Sequence, residues 1–66
     1  MQVTLNGEPR ELPYNLTLQD LLQRLQLDAD RVAVEHNREI IKRDRWATVT
    51  VQAGDQLEIV HLVGGG

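Results

Sequence analysis

Apolar and polar residues alternate at the start of the chain, with Val3 and Leu5 on one side and Gln2 and Thr4 on the other. A period of two is that of a half-buried strand. Asn6-Gly7 follows, and it predicts a hairpin, because both central positions of a type I′ turn need positive φ. The return strand runs from Glu8 to about Leu12. Pro9 cannot donate a ladder hydrogen bond, which suits an edge or a strand start, and Pro13 ends the strand. After a short connection at Tyr14 and Asn15 the period changes. Leu18, Leu21, Leu22 and Leu25 fall at i, i+3, i+4 and i+7, the apolar stripe of a helix packed on one side. Gln19, Asp20, Gln23 and Arg24 fill its other side. Thr17 is placed as the N-cap, with Asp20 three residues later as the acid of a capping box. Leu27 continues the leucine contact beyond the last turn.

Asp28-Ala29-Asp30 is a polar break with turn-forming carboxylates. Period two returns from Arg31 to His36, with Val32 and Val34 on one face. His36-Asn37-Arg38 reads as a tight connection and Glu39-Ile40-Ile41-Lys42 as a short return strand. Arg43-Asp44-Arg45-Trp46 lacks strand character and predicts a turn or a short 3₁₀ piece. Thr48 to Gln52 is β-branched and reads either as a short strand or as an extended loop. Ala53-Gly54-Asp55 is a turn signal, and a last strand spans Gln56 to Val63. This order predicts an α+β fold: a mixed sheet of four or five strands with one helix across it, the ubiquitin-like β-grasp arrangement. Residues 1–63 are expected to form the domain and residues 64–66 a flexible glycine tail. Short right-handed connections lead us to expect the strand after the helix beside the first strand. The first and last strands are expected to be central.

Composition narrows what such a fold could do. At 66 residues with no cysteine, the chain has room for one modest core and no disulfide or cysteine-based zinc site to staple it. Phe is absent, so the core must be aliphatic. Trp46 is expected to plug one end of it, or else to form part of a binding surface. No apolar run is long enough to span a bilayer and no secretory signal opens the chain, so a cytoplasmic soluble protein is expected. A net charge of -3 argues against nucleic acid as a partner, since neutralising phosphates requires clustered Lys and Arg. It suits docking on a basic surface of another protein. The basic cluster Arg38, Lys42, Arg43 and Arg45 is interrupted by Glu39 and Asp44 and has no interleaved aromatic residues for base stacking. It reads as a solvated hairpin or, less simply, as a protein contact.

Candidates for catalysis are few. His36 and His61 lie on different predicted strands and read as surface or strand-edge residues, not as bases or metal ligands. Asp28 and Asp30 lack the Asp-x-Asp-x-Asp-Gly pattern of a calcium loop and read as a capped turn. Asp44 and Asp55 read as isolated. One helix on one sheet encloses little volume for a pocket. The chain is therefore expected not to be an enzyme, to have no active site of its own, and to bind no metal or cofactor. On the last strand, Leu57, Ile59 and His61 share one face and Val60 and Leu62 the other. A sheet covered on one side only leaves Val60 and Leu62 exposed, a candidate protein-docking patch.

Leu62-Val63-Gly64-Gly65-Gly66 closes the sequence. A bare glycine run is either a linker or the bearer of a working carboxyl group, and the second reading is expected here. Glycines without Cβ can pass through a channel that any side chain would block. Three residues reach roughly 10 Å, enough to enter a partner's active site. An α-carboxylate is ionised at neutral pH and can attack a nucleotide α-phosphate to give an acyl adenylate.

Several short motifs, in this order and spacing, resemble the ubiquitin-like sulfur carriers of thiamine biosynthesis, the ThiS type. They are Asn6-Gly7, Leu21-Leu22, Val34-Glu35-His36-Asn37-Arg38-Glu39-Ile40-Ile41, Arg43-Asp44-Arg45-Trp46, Gly54-Asp55 and Glu58 through Gly66. The resemblance implies a carrier and not a catalyst. An E1-like adenylyltransferase would use ATP to adenylylate Gly66, with Gly64 and Gly65 giving access. Sulfur from a cysteine-desulfurase pathway would then make a thiocarboxylate, and thiazole synthase would take that sulfur. Two alternatives stand beside it: a sulfur carrier for another pathway, such as a molybdopterin-type route, and a ubiquitin-like interaction module with inert glycines.

Overall fold

The computed structural model describes residues 1–63. Strands β1 (Gln2–Leu5) and β2 (Glu8–Glu11) form the expected antiparallel hairpin. Asn6 (φ 51°) and Gly7 (φ 82°) both occupy the left-handed region at its turn. Helix α1 (Leu18–Arg24) opens on the full capping box: the Asp20 N–H donates to Thr17 Oγ1, and the Thr17 N–H donates to the Asp20 carboxylate. A 3₁₀ turn at Ala29–Arg31, N-capped by Asp28, leads into β3 (Val32–His36) and β4 (Glu39–Ile41). A second 3₁₀ turn follows at Arg43–Arg45, and β5 spans Gln56–His61. Thr48 closes that second turn, its N–H on the Arg45 carbonyl, and Val49 to Gln52 is a loop touching the helix entry through a single bridge between Thr50 and Thr17. Its Val51 is buried, with the Val51 N–H on the Leu16 carbonyl.

The five strands form one mixed sheet in the order β2-β1-β5-β3-β4, the β-grasp arrangement. β5 lies at the centre, parallel to β1 and antiparallel to β3. The expectation that the strand after the helix lies beside the first strand is therefore wrong. β2 and β3 run in the same direction, so β2–α1–β3 is a crossover between parallel strands. In the order β2-β1-β5-β3 that crossover spans three strand spacings of about 4.8 Å, more than the width of about 10 Å of the helix that covers it. β3 thus lies one strand beyond β1's neighbour position, and β5 fills the slot left between them. The last strand also ends at His61, two residues short of the expected Val63, although the Leu62 N–H still donates to the Arg31 carbonyl.

The core lies between the helix and one face of the sheet. Leu18, Leu21 and Leu22 from α1 meet Val3, Leu5, Val32, Val34, Leu57 and Ile59. Leu25 and Leu27 pack at its margin. Trp46 closes one end as expected; it is buried, and its indole N–H donates to the Ile41 carbonyl at 2.8 Å.

Candidate functional site

β5 has two faces because alternate side chains point to opposite sides of a sheet. Leu57 and Ile59 are buried against the helix, while Glu58 and Val60 stand on the uncovered side. Val60 and Leu62 are more than half exposed and Val63 is 97% exposed, so the chain is in solvent where the described residues end. Ile40, 73% exposed on β4, points to the same uncovered side as Val60 and enlarges the apolar surface beyond the residues singled out from the sequence. Gly64, Gly65 and Gly66 lie outside the described residues. His61 is exposed and borders a shallow groove with Arg10, Leu25 and Ile59.

The start of β5 is fixed by a buried carboxylate. Asp55 reads as isolated in the sequence, but it gathers three donors. It accepts the Gln52 N–H at 2.8 Å and the Asn37 side-chain amide at 3.1 Å, and it meets His36 Nε2 at 2.7 Å. His36 is accordingly half-buried and joined to Asp55, not a bare surface residue. Burial alone would raise the Asp55 carboxyl pKa. Together the Gln52 N–H, His36 and Asn37 outweigh it and hold the carboxyl below the usual carboxylate range. Asn37 sits at φ 52° with Arg38 at φ 71°. It also pairs with Gln56 twice: its N–H donates to the Gln56 carbonyl, and its side-chain oxygen accepts the Gln56 N–H. His36 and Asp55 are arranged like a base and its orienting acid. The chain, however, holds no Ser or Cys for them to activate, and every Asp55 contact ties loop to strand.

The end of β5 is fixed differently. β1 stops at Leu5, where the chain turns, yet the Asn6 side chain continues its edge. Asn6 Oδ1 accepts the Ile59 N–H at 2.8 Å, and Asn6 Nδ2 donates to the Ile59 carbonyl at 3.2 Å.

The other candidate residues make none of these contacts. Asp28 accepts the Asp30 N–H, the capped turn expected from the sequence. Arg43 pairs with Asp30, while Arg38, Lys42 and Arg45 are exposed. Glu35 and Glu58 stand directly opposite each other across β3 and β5 on the uncovered face. Among the described residues no group of three His, Asp or Glu gathers at metal-binding distance, and no helix is long and apolar enough to cross a membrane.

Comparison with known proteins places these features in a family. The ThiS family matches residues 3–66, and this chain belongs to it. A sulfur carrier protein ThiS of Bacillus subtilis is 50% identical over 50 residues, covering 76% of each chain. The crystal structure of a thiamine biosynthesis protein (ThiS) from Geobacter metallireducens superposes over the whole of both chains with a TM-score of 0.89 at 35% identity. A thiazole synthase of Magnetococcus marinus is 41% identical over all 66 residues, but this chain spans only 20% of that protein's length.

Proposed function

We propose that this protein is the sulfur carrier of thiamine biosynthesis and that the carboxyl group of Gly66 is its working part. The observation that carries the reading is the position of β5. A strand held between two neighbours brings the chain out at an exposed Val63, three residues before Gly66. Membership of the ThiS family supports the same reading.

In this proposal an E1-like adenylyltransferase binds ATP and the carrier together. A Gly66 carboxylate oxygen attacks the α-phosphorus, the bond to the β-phosphate oxygen breaks, and pyrophosphate leaves. A hydrosulfide equivalent, derived from a cysteine-desulfurase pathway, then attacks the acyl carbon and expels AMP, leaving a thiocarboxylate. Thiazole synthase is the proposed recipient. What supports it is that a protein named thiazole synthase contains a segment alignable with this entire chain. Val60 and Leu62 supply the proposed docking patch. The carrier itself contributes no catalytic group and no bound cofactor; ATP belongs to the activating partner.

Intact mass after incubation with an activating enzyme, ATP and a sulfur donor tests this directly. We expect the increment for one oxygen replaced by sulfur, localised to Gly66, and an unchanged mass would sink the proposal. In the same assay Val60→Asp should lower the apparent affinity for the enzyme while leaving the unfolding midpoint nearly unchanged. A parallel loss of both would instead make Val60 a structural residue.

A further inference from the structure

In this chain β1 runs out of backbone before β5 does. Parallel pairing joins Thr4 to Gln56 and Leu5 to Leu57, and the Asn6 N–H donates to the Leu57 carbonyl at 2.8 Å. At the next rung the main chain has already turned at Asn6-Gly7. Ile59 would then face that side with neither its N–H nor its C=O paired, a costly state for partly buried backbone. The primary amide of Asn6 fills the gap. Like a peptide group it carries one acceptor and a donor side by side, and it meets both backbone groups of Ile59. The φ of 51° that aims it there is tolerated by Asn, Asp and Gly and by few other residues.

Ile59 lies seven positions before Gly66 and two before the end of β5. On the β1 side this is the last rung held among the described residues. Its opposite side pairs with Val34 of β3. We infer that Asn6 is a positioning residue for the carrier's terminus: its amide stands in for the missing rung of β1 and fixes the direction in which β5 leaves the sheet. The inference rests on the carrier reading above. Asn6 touches no reacting atom; it acts through the strand that bears Gly66. Small misplacements of a reacting group at a distance from their cause can lower a rate by about a hundredfold, so the last rung pinned on the β1 side is one place where such control would act.

Two variants separate this role from turn formation, using the full chain. Asn6→Gly keeps a residue suited to positive φ and removes both amide contacts. Asn6→Asp keeps an acceptor for the Ile59 N–H and loses the donor to its carbonyl. For adenylylation by the activating enzyme, read as pyrophosphate release, we expect Asn6→Gly to lower kcat about tenfold with KM within about twofold, and Asn6→Asp to fall between it and the parent. Amide hydrogen exchange of the free protein gives the second readout. Exchange at Ile59 should quicken about tenfold in Asn6→Gly and less in Asn6→Asp, with Val34 and Val3 unchanged. An unchanged kcat for Asn6→Gly in folded protein overturns the positioning role, and so does unchanged exchange at Ile59. If the parent protein itself is never adenylylated by a competent enzyme, the carrier proposal fails instead. Faster exchange at Ile59 would then support the clamp without its catalytic purpose, and unchanged exchange would reject both.

Discussion

Both hairpin turns of the sheet place an asparagine at positive φ, Asn6 at 51° and Asn37 at 52°, and both asparagines reach sideways onto β5. They grip it by different chemistry. At the start of the strand, Asn37 works together with an anion: its amide binds the Asp55 carboxylate, which also takes the Gln52 N–H and His36. Towards the end of the strand, Asn6 pairs with Ile59 alone, through neutral groups. The first grip joins two loops and a strand into one charged network and is sensitive to protons. The second is local and is not. On its β1 side, the later part of β5 is thus held by a contact that contains no titrating group.

Removing the anion should have the largest effect. Asp55→Ala leaves the Gln52 N–H and the Asn37 amide without their acceptor, and loss of hydrogen bonds to a charged group predicts about 3 kcal/mol of destabilisation in urea unfolding. A loss below about 1 kcal/mol would show that the network contributes little to the fold. The same carboxylate sets an acid limit. Because its folded-state pKa is lowered, the folded protein binds fewer protons than the unfolded chain below neutrality. The stability Asp55 confers is complete at neutral pH and drains away as pH falls through about 4 towards the lowered folded-state value. Asp55→Asn should flatten that slope, whereas Asn6→Gly should leave it intact.

The two turns can also be compared directly. Asn37→Gly and Asn6→Gly each keep a residue that suits positive φ. Asn37→Gly also strips a donor from a buried carboxylate, and should cost about 2 kcal/mol against about 1 kcal/mol for Asn6→Gly. Equal costs would mean that the charge adds nothing to the first grip. The smallest effect is expected between the two turns, where Glu35 and Glu58 oppose each other in register. Glu58→Gln relieves a like-charge pair and should stabilise the protein by about 0.3 kcal/mol, with a smaller gain at high salt.

Much of this architecture is legible in the sequence wherever a local pattern encodes it. Asn6-Gly7 specifies its hairpin through φ, Thr17 and Asp20 specify the helix start through their reciprocal hydrogen bonds, and Leu18, Leu21 and Leu22 mark the buried face by their spacing. The alternation of β5 likewise separates buried Leu57 and Ile59 from exposed Val60 and Leu62. What periodicity tells is which way a side chain faces, not which strand lies alongside; the neighbour comes only from the rule of short right-handed connections, and that rule puts β3 next to β1. The Asp55 network is invisible for a related reason. Its partners His36 and Asn37 lie 19 and 18 positions away, and no repeat or motif links a turn aspartate to a distant hairpin. A signal was present in Asn37 itself: an asparagine in a tight turn, like Asn6, could have been read as a side chain free to pair with a neighbouring strand. The proposed working residues Gly64, Gly65 and Gly66 stand out by composition alone.

The central place of β5 has a consequence for how the chain folds. The β1–β2 and β3–β4 hairpins each form from neighbouring residues, but among the described strands only β5 hydrogen-bonds to both halves. Thr4 waits for Gln56, roughly fifty positions later, before the sheet can close. Such non-local pairing slows folding, because loop closure precedes the contacts that reward it. Strand pairing between the halves therefore waits for the C-terminal strand. A molecule that breaks off short of that strand lacks both its terminus and the middle of its sheet, so folding itself sorts intact carriers from truncated ones.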